Sequence, residues 1–142
     1  MAPFTSLDRF LQAQAPVWPQ VQAELHAGRK RTHWMWFVFP QLAGLGHSEM
    51  ARRYAIASAA EARAYLDHPE LGQRLRACCD LLLQQEGRSA HDILGSPDDV
   101  KLRSSMTLFS QVAAPEDTVF AAVLHRYFGG QPDPLTLERL AP

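Results

Sequence analysis

Two stretches of the chain gather side chains that could hold an anion beside a flat ring. In the first, Arg29-Lys30-Arg31 runs through Thr32 and His33 into Trp34-Met35-Trp36-Phe37-Val38-Phe39-Pro40-Gln41, followed by Gly44-Leu45-Gly46-His47-Ser48. Cations can neutralise phosphate or carboxylate oxygens, indole faces can stack on a planar base, and amides at a helix start can receive anion oxygens. Lys30, Trp34, Trp36, Gln41, Gly44, Gly46 and Ser48 are the candidate ligand contacts here, with Ser48 placed to cap a following helix. A plainer use is open for the same residues: Trp34, Trp36, Phe37 and Phe39 as core anchors, the cations solvated, and the glycines only permitting a turn. Gly-x-Gly without a preceding strand and a third glycine does not define a dinucleotide site.

The second stretch is Asp98-Asp99-Val100-Lys101-Leu102-Arg103-Ser104-Ser105-Met106-Thr107. On a helix beginning near Pro97, Asp98, Lys101 and Ser105 fall on adjoining turns of one face, while Leu102, Met106 and Phe109 take another. Ser104, Ser105 and Thr107 are mediocre helix formers whose short hydroxyls suit a close approach. Arg103, Ser104, Ser105 and Thr107 therefore join the candidate ligand contacts. Lys101 can contact an anion, or act as nucleophile or base if burial lowers its pKa. The alternative is an Asp–Lys surface pair, with the hydroxyls satisfied by backbone carbonyls.

Candidate proton-transfer groups are His33, between the cations and the tryptophans, and Asp99; with Lys101 they form the candidate catalytic set. His68, before Pro69, reads as a hydrogen bonder at a helix junction, and His125 as an outer-surface residue. The six histidines are scattered, without an i,i+4 pair or a Cys/His ladder, so no metal site is predicted. Chain order alone assigns no Ser-His-Asp or Cys-His set.

These residues must be positioned by helices, because helix punctuation recurs and neither an Asn-Gly hairpin nor sustained alternation occurs. Ser58 and Glu61 have capping-box spacing and start a helix with Ala62, Tyr65 and Leu66 inward. Pro69 suits the first turn of the next helix, which carries Leu71, Leu75, Cys78 and Leu82 and runs until Gly87. Ser96-Pro97-Asp98-Asp99 combines a cap hydroxyl, a first-turn proline and two carboxylates at the positive end of the helix dipole. Pro115-Glu116-Asp117 opens a helix with Phe120, Val123 and Leu124 inward, and Gly129-Gly130 closes it. Asp133-Pro134 starts a last short one. Near the N-terminus, Thr5 and Asp8 begin a helix bearing Leu7, Phe10 and Leu11, and Pro16 and Pro19 bend or divide what continues to Leu25 before Gly28. The expected fold is all-α, an irregular multihelical bundle, with residues 1–142 as one domain.

Composition agrees and narrows the function classes. With 142 residues, 46% hydrophobic and 20% charged, the chain can bury one core. A net charge of −1 offers no global field for duplex nucleic acid or an anionic membrane surface. Met1-Ala2-Pro3-Phe4-Thr5 lacks a basic region followed by an apolar run, and no segment reaches the roughly 20 apolar residues needed to span a bilayer. A cytoplasmic location is the expectation. Adjacent Cys78 and Cys79 point in different directions on a helix and read as buried thiols.

Over nearly its whole length the sequence resembles an uncharacterised family of small helical proteins from bacteria and some fungi, a domain of unknown function often mislabelled calpastatin. The resemblance is carried by Gly28 to Gln41, Gly44-Leu45-Gly46-His47-Ser48, Glu61 to Pro69 and Asp99 to Phe109. It implies a mainly helical fold and supplies no substrate or catalytic residue. The calpastatin label fits poorly, since such inhibitors are disordered, charge-rich chains that fold on their target, whereas this chain has a core of its own.

Two functional readings follow. In one, segment 30–48 and helix 97–109 enclose a pocket for a small anionic or nucleotide-like ligand, related to ADP-ribose or NAD. In the other, segment 33–48 is a non-enzymatic interaction surface for a protein partner or a second copy of the chain.

Overall fold

The computed structural model describes residues 7–141, and Thr5, read above as a helix start, lies outside them. The helices are α1 (Asp8–Gln14), α2 (Trp18–Ala27), α3 (Met35–Val38), α4 (Glu49–Arg53), α5 (Ala59–Asp67), α6 (Pro69–Gln84), α7 (Ala90–Leu94), α8 (Asp98–Val112), α9 (Val119–Phe128) and α10 (Pro134–Leu140). A 3₁₀ turn, Ala15–Val17, divides α1 from α2 where Pro16 and Pro19 crowd the chain. Among the described residues the sole strand-like feature is a parallel bridge between Leu42 and Ile56. The fold is an all-α multihelical bundle, and no helix among the described residues is long and apolar enough to cross a membrane.

The core grows from helical stripes that the sequence spaces correctly. Leu71, Leu75, Cys78 and Leu82 of α6 are all buried, as are Leu102, Met106 and Phe109 of α8 and Phe120, Val123 and Leu124 of α9. Tyr65 on α5 stacks against Phe109 at 5.3 Å, and Phe109 against Phe120 at 5.9 Å, so aromatic contacts run through three helices. Both thiols are buried, and burial pushes both upward from the ordinary cysteine range.

Several helix ends differ in detail from the expectation, each for a visible reason. Ser58 Oγ accepts the Glu61 N–H at 3.2 Å, but the Glu61 carboxylate reaches past the cap to the Ala57 N–H and to Arg9. α6 stops at Gln84, before Gly87, because the Gln85 side chain turns away to donate to the carbonyls of Leu25 and His26 at the end of α2. α8 has no hydroxyl cap from Ser96; a cis Ser96–Pro97 peptide precedes it, and the Gly95 carbonyl accepts the Asp99 N–H at 2.9 Å. α9 begins at Val119 rather than Pro115, since Arg76 holds the Asp117 carboxylate at 2.8 Å in the preceding turn. His68 behaves as the sequence suggests, its Nδ1 accepting the N–H groups of Glu70 and Leu71.

Candidate functional site

The tryptophan stretch is positioned by a residue that the motif reading passed over. Val21, Glu24 and Leu25 share the inner face of α2, and Glu24 is only 3% exposed. Its carboxylate accepts the N–H groups of Arg31 and Thr32 at 2.8 and 3.1 Å and Trp34 Nε1 at 2.9 Å. It also accepts the Thr32 hydroxyl at 2.7 Å and Gln20 Nε2 at 2.8 Å. Burial on its own would raise this carboxyl; the hydrogen bonds from Arg31, Gln20 and Thr32 outweigh it and hold the group at about 2. The signal was present in the sequence, as a lone carboxylate inside an apolar helical stripe.

With residues 31–34 fixed on Glu24, α3 follows as a single turn. Gln14 on α1 donates to the Phe37 carbonyl at 2.7 Å, and the Lys30 N–H donates to the Ile93 carbonyl at 2.7 Å. Beyond α3 the chain is stitched to the link between α4 and α5, because the Ile56 N–H bonds the Gln41 carbonyl at 2.9 Å and the Ala43 N–H bonds the Ile56 carbonyl at 2.8 Å. Gly46 lies against α4 so closely that a Cβ there would stand 2.5 Å from the Ala51 Cβ.

The two stretches meet at Lys101. This residue joins Trp36, Phe39, Gln41, Gly46 and Tyr54 around a narrow cleft whose cavity volume is about 10 Å³, space for about one water molecule. The Lys101 ammonium stands 5.6 Å from the Trp36 ring centre and 3.9 Å from Asp98 Oδ1. On the other side of Asp98, the largely buried Lys30 ammonium lies 2.9 Å from Oδ2 and 5.2 Å from the Trp34 ring centre. Two cations thus share one carboxylate, each over the face of an indole. Lys30 is held tightly and Lys101 loosely, so Lys101 carries the charge available to a visitor.

The remaining candidates are placed elsewhere. Trp34 is 1% exposed and belongs to the core, while His33 is exposed on the preceding loop. Asp99 faces α7, with Oδ2 3.5 Å from His91 Nδ1. Arg103 donates to the carbonyls of Gln131 and Pro132 at 2.9 and 2.8 Å. Ser104 donates to Asp133 Oδ2 at 3.1 Å, and the Thr107 hydroxyl accepts the Asp133 N–H at 2.8 Å. These three side chains hold the turn that starts α10 and are not among those around the cleft. Ser48 caps α4 through the Ala51 N–H, and Gly44, at φ +96°, lies beneath the Arg139 guanidinium. Ser105 is fully buried one turn below Lys101, and its hydroxyl has no hydrogen-bond partner. Asp98, which links Lys30 to Lys101, is also absent from the motif-based candidate set, as are Phe39 and Tyr54 of the cleft. Among the described residues no cluster of three His, Cys, Asp or Glu side chains stands ready to hold a metal ion.

A second concavity, of about 420 Å³, opens between residues 42–43, the start of α5 and Arg139 with Leu140. It contains none of the candidates.

Comparison with known proteins bears on the family and the fold. The family described as a protein of unknown function (DUF1810) matches residues 4–140. The crystal structure of the conserved hypothetical protein Rv1873 from Mycobacterium tuberculosis is similar at 54% identity and a TM-score of 0.94, covering 97% of this chain and 98% of that one. No protein of curated function matches.

Proposed function

This chain belongs to the DUF1810 family of proteins of unknown function, and we propose that within it the Trp36–Lys101 cleft binds a small anionic ligand. Lys101 supplies the charge, the Trp36 face covers a ring or apolar edge, and Gln41 offers an amide. The observation that carries this reading is the loosely paired Lys101 ammonium, 5.6 Å above Trp36 at a concave surface. A nucleotide-like molecule related to ADP-ribose or NAD has the required combination of anion and planar base. Drug-sized ligands fill pockets of roughly 300–1,000 Å³, so only the anionic end of such a molecule enters the cleft at its present size. The rest lies across Trp36, toward the exposed side of the loop that carries His33. In this reading Lys101 neutralises the anion, Lys30 holds Asp98 beside it, and His33, exposed on the loop before Trp34, is the candidate for moving a proton.

Thermal denaturation in the presence of nucleotides, NAD, ADP-ribose and sugar phosphates tests the proposal. At least one member should raise the Tm of the wild-type protein and leave a folded Lys101→Met variant unshifted. If the same ligand stabilises both proteins equally, the cleft is not its site.

The narrowness of the cleft favours one other reading, a non-enzymatic interaction module using segment 33–48. A second copy of the chain is then the simplest partner, and a concentration-dependent mass in light scattering, abolished by Trp36→Ala, distinguishes it.

A further inference from the structure

We propose that Asp98 restricts the cleft to singly charged oxyanions, such as a carboxylate or a phosphodiester, and disfavours phosphomonoester dianions. The inference rests on the reading of the cleft given above and deepens it by naming the charge of the ligand.

Charge balance carries the step. Lys30 and Lys101 supply two positive charges and Asp98 one negative, leaving one uncompensated charge in this trio, of which Lys101 lines the cleft. Lys30 Nζ lies 2.9 Å from one Asp98 oxygen and is largely buried, so this pair stays closed. Lys101 lies 3.9 Å from the other oxygen, too long for a hydrogen bond, and its side chain keeps 23% of its exposure. An anion that pairs with Lys101 therefore comes to lie close to this carboxylate. A monoanion balances the one uncompensated charge, with any apolar substituent packing on the Trp36 face. A dianion's second charge is drawn by the same two ammoniums but meets the carboxylate that Lys30 retains. Its desolvation cost grows with the square of its charge, while its attraction to a net single positive charge grows only in proportion. At a few ångströms an unscreened like charge disfavours binding by roughly tenfold.

Dimethyl phosphate and methyl phosphate form a matched pair of probes. Near pH 8 the first carries one charge and the second close to two, since the second pKa of a phosphomonoester is about 6. Both are titrated into the ¹⁵N-labelled protein, following the Trp36 indole N–H. The wild-type protein should bind dimethyl phosphate at least as tightly as methyl phosphate. Asp98→Asn, which keeps an oxygen for Lys30 and removes the charge, should move the ratio of affinities about tenfold toward methyl phosphate. A wild-type preference for methyl phosphate overturns the inference without any variant being needed. So does a folded Asp98→Asn protein whose ratio is unchanged. If neither probe moves the Trp36 signal, the cleft reading itself fails and this inference falls with it.

Discussion

Replacing Glu24 by Gln removes a charge and leaves most of the atoms in place, which makes it a sharp probe of how the tryptophan loop is held. In the wild-type protein one carboxylate oxygen accepts from Arg31 N, Thr32 N and Trp34 Nε1, and the other from Thr32 Oγ1 and Gln20 Nε2. A glutamine can keep the first three, but its amide nitrogen faces the last two donors, which must then reorient. Lowering the carboxyl from 4.5 to about 2 corresponds to an upper limit of about 3 kcal/mol at neutral pH. Arg31 and Thr32 are exposed, so solvent screening reduces the expected contribution to about 2 kcal/mol. The sign follows from the depressed folded-state pKa. This stabilisation is fully present above the unfolded-state value near 4.5 and is lost as pH falls toward about 2. Urea denaturation followed by tryptophan fluorescence should show Glu24→Gln weaker than wild type by about 2 kcal/mol at pH 7. At pH 3 the gap should shrink to less than about half that value. A gap that is equal at both pH values, or absent at pH 7, would show that the carboxylate charge does not fix the loop.

Three other substitutions or treatments have defined outcomes. Ser105→Ala removes a fully buried hydroxyl without a partner and improves helix propensity, so the Tm should hold or rise, by the equivalent of about 1 kcal/mol; a clear fall in the melting curve would mean the hydroxyl is bonded in solution. Gly46→Ala places a methyl 2.5 Å from the Ala51 Cβ and should cost about 1–3 kcal/mol in chemical denaturation, whereas an unchanged midpoint would mean the loop yields freely. Cys78 and Cys79, both 0% exposed, should react with a thiol reagent only after the protein is denatured. Rapid modification of the native protein would contradict their place in the core.

Much of the helical framework was legible because local rules and tertiary packing agree. Ser58 and Pro69 start helices where their side chains suit a first turn, and the Leu71–Leu75–Cys78–Leu82 spacing matches a stripe that becomes buried. Disagreement arises where a long-range partner claims a residue with strong local preferences. Asp117 reads as part of a helix start, yet Arg76, far away in sequence, holds it in the preceding turn. Arg103, Ser104 and Thr107 have the short or forked polar chemistry that suits a ligand, and the same chemistry suits the turn before α10.

Within the candidate site, the meeting of Trp36, Gln41, Gly46 and Lys101 combines two motifs that the sequence offers separately. What it does not offer is their connection. The Lys30–Asp98 ion pair spans two distant segments, and no spacing rule links them. Glu24 is different, since its place between Val21 and Leu25 marks it as a charge on a buried face. A buried carboxylate must find donors, and here the donors are the chain segment that leads into α3.

The Trp36 indole N–H in a ¹H–¹⁵N spectrum, titrated with ADP-ribose, tests the cleft most directly, because Trp18 and Trp34 supply internal references in the same sample. Saturable movement of Trp36 together with the Gln41 and Gly46 amides is the predicted result, with Trp34 stationary on Glu24 and the response lost in Lys101→Met. Saturable movement confined to other parts of the bundle, with the Trp36 signal unmoved, would contradict a ligand site at this cleft.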